Sequence, residues 1–315
     1  MSSAESTTSS SPERQALEKV LTASIIEHRR SRRWRIFFRF IYLIIFILIL
    51  MALFSPAQTP INVNEPHVAL IDIDGVISSD ALTSSADNIM LALKEAYEND
   101  MTKAVILNIN SPGGSAVESG RVYDEVMRLR KLYPDVKVYA VIDEMGTSAA
   151  YYIASAADSI YANRASVVGS IGVMFDSFGV VDAMKKIGVE RRLITAGAHK
   201  GILDPFSPTN QQDIDFMTSL VDDVHTQFIT AVKAGRGDRL STEPDLFSGL
   251  FWTGDQAMKL GLVDGLGDAQ YVAREIIGNE ELVLYSAPVN LLDVFALRMG
   301  ASFAQELTSR SGIQF

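Results

Sequence analysis

Apolar runs alternate with helical patterns along most of the chain. Three runs rich in β-branched and apolar residues predict strands, and each is followed by a stretch with apolar residues at helical spacing. Strands that are apolar throughout and alternate with helices are typical of a layered α/β domain with a largely parallel sheet. The predicted strands are residues 67–77, 104–109 and 136–142, and the predicted helices are residues 84–98, 114–132 and 149–157.

Shorter elements follow in the second half of the chain. The long pattern at 211–234 predicts a helix with an apolar face, which indicates a core or subunit contact. A further apolar period at 291–307 predicts a packing helix, because few basic residues accompany it. The remaining predicted elements are strands at 159–161, 167–173 and 190–195, a helix at 180–187, and a helix within 251–268 that Gly261 closes.

The longest apolar run, residues 36–54, lies near the N-terminus and is interrupted only by Arg39. About 20 apolar residues span the hydrocarbon core of a bilayer, so this run predicts a transmembrane helix. Six arginines cluster between residues 29 and 39, and positive charge beside an anchor marks the cytoplasmic side. A cleaved signal peptide is the alternative, but the length of the run and the poor cleavage site after it favour an uncleaved anchor.

The chain is therefore predicted to have five parts. A cytoplasmic tail at 1–35, disordered in part, precedes the anchor, and a linker with three prolines follows it at 55–66. The main α/β domain is predicted at 67–278, on the outer side of the membrane. A strand and helix extension is predicted at 279–315.

Composition excludes several kinds of function. The chain has no cysteine, which excludes disulfides, thiolate metal sites and a cysteine nucleophile. Its four histidines show no metal-ligand spacing and it has no GxxxxGK[ST] motif, so we expect no metal or nucleotide cofactor. Residues 1–39 hold eight of the 28 basic residues and four of the 38 acidic ones, which leaves the remainder acidic. An acidic globular domain argues against a nucleic-acid partner.

Ser148 is the first candidate for chemistry. It lies between the predicted strand at 136–142 and a helical run of small residues that begins at Ala149. A serine at a strand-to-helix junction is presented beside the free N–H groups of the first helical turn, which suits a nucleophile. The alternative is that Ser148 or Thr147 only caps the helix, a common role of both residue types.

The segment NSPGG at 110–114 is a second candidate, because it follows a predicted strand and precedes a helix. Two glycines at a helix start let the backbone approach a ligand closely with its N–H groups exposed. Such donors form the oxyanion hole of acyl-transfer enzymes. An ordinary turn is the alternative, since Pro-Gly is a common turn signal.

Lys200 and His199 are two candidates for a base, in the small-residue segment at 196–201. A lysine acts as a base where burial lowers its pKa, but most lysines lie on solvated faces and the sequence does not show burial. A Ser-His-Asp triad would use His199, with His67 and His225 as further candidates. Spacing alone does not choose between a lysine and a histidine.

Five motifs, in the same order along the chain, resemble the signal peptide peptidase A family of Ser-Lys proteases. They are SPGG at 111–114, TSAAYYIASAAD at 147–158, VGSIGV at 168–173, GAHKGILDPFSP at 197–208 and TGDQAMKLGLVDGLG at 253–267. The resemblance covers residues 67–268 and implies a crotonase-like or Clp-protease-like fold of strand-strand-helix units.

The resemblance also implies a nucleophile with its base, a residue that holds the base, and an oxyanion hole. These residues are, in that order, Ser148 with Lys200, Ser170, and the N–H groups of Gly113 or Gly114 together with Ala149. His199 would neighbour the base without transferring a proton.

Family members with a single copy of the domain form rings in which serine and lysine meet across a subunit boundary. The resemblance therefore implies a homo-oligomeric ring, with eight subunits as one expected size, in which Ser148 of one subunit faces Lys200 of the next. The expected substrates are cleaved signal peptides and other unfolded apolar peptides outside the bacterial cytoplasmic (inner) membrane.

Two other functions remain open at this point. A ring of the same fold could bind apolar segments without cutting them, although an assembly factor of this kind needs neither Ser148 nor Lys200. A crotonase-type acyl-coenzyme A enzyme would share the fold, but coenzyme A substrates are cytoplasmic, whereas the predicted anchor places the domain outside.

Overall fold

The computed structural model describes residue 30 and residues 32–49, 64–81 and 83–287. The chain divides into two compact units, Met1–Ile61 and Asn62–Phe315. In the first unit, residues 32–49 are helical, and residues 50–54 of the predicted anchor lie outside the described residues. No helix in the described ranges is both long and apolar enough to cross a membrane.

The second unit is an α/β domain built around one sheet. Its strands are β1 (His67–Asp74), β2 (Thr102–Ser111), β3 (Lys137–Thr147), β4 (Ser159–Ala162), β5 (Val167–Gly169), β6 (Phe251–Thr253), β7 (Gly265–Leu266) and β8 (Leu282–Leu284). Its helices are α1 (Ala86–Glu98), α2 (Ala116–Leu132), α3 (Ala149–Ala154), α4 (Val181–Lys186), α5 (Gln211–Arg236), α6 (Gly254–Lys259) and α7 (Ala269–Tyr271), and α7 continues as a π-helix (Val272–Ile277). Short 3₁₀ helices occupy Gly237–Arg239 and Pro244–Phe247.

The sheet order is β6-β5-β3-β2-β1-β8, with β4 paired to β3 and β7 paired to β4. All pairs are parallel except β5 with β6. The long strand β3 changes its neighbour, because Tyr139–Ile142 pair with β4 whereas Met145–Thr147 pair with β5. The last residue of β3 therefore lies opposite the last residue of β5.

The main apolar core lies between the sheet and helices α1, α2, α3 and α5. Alternate residues of β1 divide between two cores, since Ile71 and Ile73 face the main core whereas Val68 faces a smaller one. The smaller core joins Val68 to Ile106 and to Val272 of the π-helix. Each such side chain stabilises the fold by roughly 1.5–3 kcal/mol when it is fully buried.

The structure confirms the predicted α/β class and its largely parallel sheet, with several corrections. β3 extends past residue 142 to Thr147, and α3 ends at Ala154 rather than at Ala157. The strand predicted at 190–195 is wrong. These residues are exposed and irregular, and no described strand pairs with them. The helix predicted at 291–307 lies outside the described residues.

An ion pair holds the end of α5 against the sheet. Arg236 is 1% exposed, and its guanidinium donates to both carboxylate oxygens of Asp264 at 2.6 and 2.9 Å. Asp264 also accepts from the Ile160 N–H of β4 at 2.7 Å. Burial of Asp264 raises its pKa, but these hydrogen bonds and the charges of Arg236 and Arg239 outweigh burial, so the pKa lies below its ordinary value.

Arg236→Met should lower the free energy of unfolding by about 1.5–3 kcal/mol, because it removes two charge-assisted hydrogen bonds from Asp264, which keeps only Arg239 and the Ile160 N–H. The exposed pair Arg164–Asp255, 4.0 Å apart, provides the control, and Arg164→Met should cost at most about 1 kcal/mol. Because the pKa of Asp264 is depressed by folding, the stability it supplies is present above about pH 4 and is lost as the pH falls further. The difference between wild type and Arg236→Met in urea unfolding should therefore shrink in acid. A difference independent of pH would contradict this account.

Candidate active site

Ser148 occupies the sharp junction between β3 and α3. Its backbone is left-handed, with φ 53° and ψ −126°, a conformation that costs a non-glycine residue about 1–3 kcal/mol. The alternative that Ser148 or Thr147 caps the helix is wrong. The Ser148 side chain makes no capping hydrogen bond, and the Thr147 hydroxyl donates instead to the carbonyl of Pro112 at 3.0 Å. The Ser148 hydroxyl is therefore not engaged by its own helix.

Ser170 lies beside Ser148. Thr147 pairs with Gly169 in the parallel register of β3 and β5, so the next residue on each strand is a serine. The Ser148 N–H donates to the Gly169 carbonyl at 2.8 Å, which ties the two turns together. Ser170 is also left-handed, with φ 51°, and both serines are half-buried. The structure thus brings together two predicted site residues that are 22 positions apart.

Gly113 fits closely against the serine. A Cβ atom at this position would lie 2.8 Å from the Ser148 Cβ and 2.9 Å from the Ala149 nitrogen, and φ is 101°. Only glycine permits both the approach and this backbone conformation. The Gly113 N–H donates to the Ser111 hydroxyl at 3.1 Å, so this donor is already engaged.

Gly114 and Ala149 supply two backbone N–H groups beside the serine. Gly114 forms an isolated parallel bridge with Ile77. In this bridge the Ile77 N–H donates to the Gly113 carbonyl, and the Ser115 N–H donates to the Ile77 carbonyl. The bridge uses the groups on either side of Gly114, and no described residue accepts from the Gly114 N–H itself. Ala149 is the first residue of α3, where an N–H has no partner within the helix. The ordinary-turn alternative for this segment is wrong, since residues 111–115 form no turn and Gly114, with φ 150°, is bridged to Ile77.

Contacts with distant elements hold helix α3 in place and so fix the junction between β3 and α3. Tyr151 is fully buried and its hydroxyl donates to the Leu262 carbonyl at 2.7 Å. Burial raises the pKa of this phenol, so it stays a protonated donor. The Tyr152 ring packs on Phe228 of α5 with centroids 5.0 Å apart. The nucleophile candidate is therefore carried by a rigid element.

Lys200 lies elsewhere in the protomer. It belongs to a segment that we call the arm, residues 174–210, which connects β5 to α5 and includes α4. No residue of the arm is buried, Lys200 is exposed, and its ammonium has no hydrogen bond or ion pair with any described residue. Within one protomer, the structure does not bring Lys200 into contact with Ser148.

The histidine candidates bond to other groups. His67 is buried and its Nε2 lies 2.9 Å from the Tyr285 hydroxyl. His199 Nδ1 lies 3.3 Å from an Asp213 oxygen, at the start of α5. His225 Nε2 lies 3.1 Å from the Ile171 carbonyl. None of these three histidines serves Ser148 as a base in this protomer, and the described residues contain no cluster of three or more metal-ligating side chains.

Several contacts of the site were not predicted from the sequence. The Thr147 hydroxyl ties β3 to the glycine segment, and the Leu250 carbonyl accepts from the Ser170 N–H at 2.7 Å. Trp252 closes the space beside Gly169, where a Cβ atom would lie 2.8 Å from the indole ring. Contacts between residues 80 positions apart leave no periodic signal in a single sequence, so no pattern could have indicated them.

Comparisons with known proteins agree with this geometry. The model of peptidase family S49 matches residues 131–282, and that of Clp protease matches residues 70–174. A Synechocystis sp. protein named as a protease, slr0021, is 32% identical over 214 residues, which is 67% of this chain and 74% of that protein. An Enterococcus faecium protein named for signal peptide peptidase SppA is 29% identical over 180 residues, 57% of this chain and 52% of that protein.

The chain also resembles part of a longer protein. A Brucella abortus protein named Na(+)/H(+) antiporter NhaA is 41% identical over 221 residues, which is 69% of this chain. The match spans only 30% of that protein. The similarity therefore concerns less than a third of that protein.

A strained serine at a strand-to-helix junction, beside two free backbone donors, lies on a fold of the Clp-protease-like class. Within that class, the chain belongs to peptidase family S49, the family of signal peptide peptidase A.

Gly113→Ala should lower kcat/KM for peptide hydrolysis on the order of 100-fold, since the added methyl group displaces Ser148 and Ala149. Gly120→Ala is the matched control, because Gly120 lies within α2 and a Cβ atom there would meet nothing within 4 Å. The control should keep full activity and gain about 0.5–1 kcal/mol of stability. Equal activity of the two variants would show that the close approach at Gly113 is unimportant.

Proposed function

We propose that the protein is a membrane-anchored serine endopeptidase with a Ser-Lys dyad, and that it degrades cleaved signal peptides and other unfolded apolar peptides. The observation that carries the proposal is the left-handed, uncapped Ser148 beside the N–H groups of Gly114 and Ala149. A backbone strained at one reactive residue is characteristic of functional sites. A ring that only binds peptides would gain nothing from this strain.

The proposed reaction has two stages, acylation of Ser148 and hydrolysis of the ester. The Ser148 Oγ attacks the peptide carbonyl carbon while its proton passes to the Lys200 amine. The N–H groups of Gly114 and Ala149 stabilise the negative charge that forms on the carbonyl oxygen. Collapse of this intermediate breaks the C–N bond, and the lysine returns the proton to the leaving amine. Water then attacks the ester, Lys200 takes a proton from that water and gives it to Ser148, and the peptide acid leaves.

Lys200 would reach the serine from a neighbouring subunit. In its own protomer it is exposed and unpaired, whereas a lysine becomes a base when its surroundings bury it. Ser170 would hold this ammonium, because its hydroxyl lies next to Ser148 and outside any described hydrogen bond. The exposed lysine and the half-buried serines thus complement one another between subunits.

The arm supports this assembly. Met174, Phe178, Ile187 and Ile194 are 74–96% exposed. Four more large apolar residues of the arm are exposed as well, namely Phe175, Val189, Leu193 and Phe206. A soluble protein rarely leaves so much apolar surface in water, so a second copy of the chain is the expected cover. We propose a homo-oligomeric ring, with an octamer as one candidate size.

Localisation is part of the proposal. Residues 36–54 would anchor the chain in the bacterial cytoplasmic membrane, with residues 1–35 in the cytoplasm and the α/β domain outside. The relative from Enterococcus faecium carries a name for cleavage of signal peptides, which supports the same substrate class here. Such peptides are released in the membrane, so an anchored ring would lie close to its substrate.

Ser148→Ala and Lys200→Ala should each lower hydrolysis of a fluorogenic apolar peptide by about 1000-fold or more, since the members of a nucleophile-base unit fail together. Lys186→Ala, at an exposed arm position on α4, is the matched control and should retain activity. A fluorophosphonate probe should label wild type at Ser148 only. Activity in both alanine variants would contradict the Ser-Lys dyad, whereas a wild-type ring that cuts no peptide in a broad panel would favour the non-proteolytic binding ring.

Ile194→Glu should reduce the solution mass of the full chain in detergent and abolish hydrolysis, because a charge at this 96% exposed residue would be buried in the ring contact. Leu132→Glu, at a 57% exposed residue at the end of α2, is the control and should change neither property. Light scattering after size exclusion measures the mass. A wild-type chain that is monomeric and active would contradict the ring.

A further inference from the structure

The loop that carries Ser170 is bonded to the long helix α5. His225 Nε2 lies 3.1 Å from the carbonyl oxygen of Ile171, the residue that follows Ser170. A carbonyl only accepts, so Nε2 must carry the proton and donate it. No other described residue donates to this carbonyl.

The rest of the loop is braced through different atoms. The Ser170 N–H donates to the Leu250 carbonyl at 2.7 Å, and the Ile171 side chain is fully buried. These contacts fix the loop as far as Ile171. The next residue is Gly172, whose lack of a Cβ atom leaves the peptide link between the two residues with little preference of its own. Gly172 packs closely against Gly249, where a Cβ atom on Gly172 would lie 2.9 Å from the Gly249 Cα, and His225 is the described donor that fixes the Ile171 carbonyl of this link.

The same peptide link, between Ile171 and Gly172, lies just before the arm. Ile171 is the last fully buried residue before the arm, Gly172 and Val173 are half-buried, and residues 174–210 include no buried residue. The chain returns to the core through α5, on which His225 lies. One hydrogen bond therefore closes the base of the arm, joining the chain segment that enters it to the helix that leaves it.

We propose that His225 is a positioning residue that acts as a latch for the arm and for Ser170. It holds the Ser170 hydroxyl beside Ser148 in its own subunit, and it sets the direction in which the arm presents Lys200 to the next subunit. The catalytic part of this inference rests on the proposed Ser-Lys function. The latch itself does not.

The test compares His225→Leu, which removes the donor, with His225→Gln, whose side-chain amide can donate from a similar position. His225→Leu should lower kcat on the order of 10-fold with KM nearly unchanged, because substrate still binds while the reacting groups are misplaced. His225→Gln should recover most of the loss. Gln227→Leu, at an exposed neighbouring residue of α5, is the matched control and should behave as wild type.

A double variant shows whether His225 acts through Ser170. If it does, His225→Leu should add little to the loss already caused by Ser170→Ala, since coupled residues are not additive. Fully multiplied losses would mean that His225 acts independently of Ser170 and would overturn this part of the proposal. Equal impairment of the Leu and Gln variants would also overturn it, because packing rather than the hydrogen bond would then matter.

Hydrogen exchange provides a readout that needs no activity. The amides of residues 172–176 should exchange faster in His225→Leu than in wild type, His225→Gln and Gln227→Leu, because the base of the arm opens. If wild type cuts no peptide and this pattern is still seen, the proposed function fails and the latch stands. If exchange at 172–176 is the same in all four proteins, the latch is wrong.

Discussion

The active-site geometry depends on the short parallel pairing between the end of β3 and β5. Three residues of each strand pair, and the hydrogen bond from the Ser148 N–H to the Gly169 carbonyl continues this register past the end of both strands. Two left-handed serines are thereby held side by side, each in a conformation that a free chain would leave. β3 pairs with β4 only as far as Ile142 and pairs with β5 from Met145 onward. This change of partner within one strand creates the site.

The glycine segment at 110–114 and the core both pack closely against the junction between β3 and α3. Gly113 has no side chain because the Ser148 backbone occupies the space, and the Thr147 hydroxyl holds the segment in place through Pro112. Behind the junction, α3 is short, with alanine at three of its six positions, and its two tyrosines contact distant elements. The protomer thus builds a rigid half-site. The base candidate, Lys200, lies on an arm with no buried residue, and we propose that a neighbouring subunit completes the site.

Sequence patterns predicted an element correctly where the residues of that element alone produce the pattern. The strands β1 and β2 were predicted because each faces a core along its length, and α5 was predicted from its apolar period although it is buried only from Phe228 onward. The end of β3 was missed because Asp143, Glu144 and Gly146 are atypical of a strand, and because Met145–Thr147 pair with the distant β5. Leu193 and Ile194 misled the prediction of a strand, since an exposed apolar residue gives the same sequence pattern as a buried one. The bond between His225 and Ile171 joins positions 54 residues apart and leaves no local pattern.

The central claim is that Ser148 and Lys200 form one site across a subunit boundary. Its most direct test mixes the full-length variants Ser148→Ala and Lys200→Ala, under conditions in which subunits exchange, and measures hydrolysis of an apolar fluorogenic peptide. Mixed rings contain some boundaries with an intact serine opposite an intact lysine, so the account predicts that activity returns in the mixture although each variant alone is inactive. A mixture that exchanges subunits yet stays inactive would contradict the account.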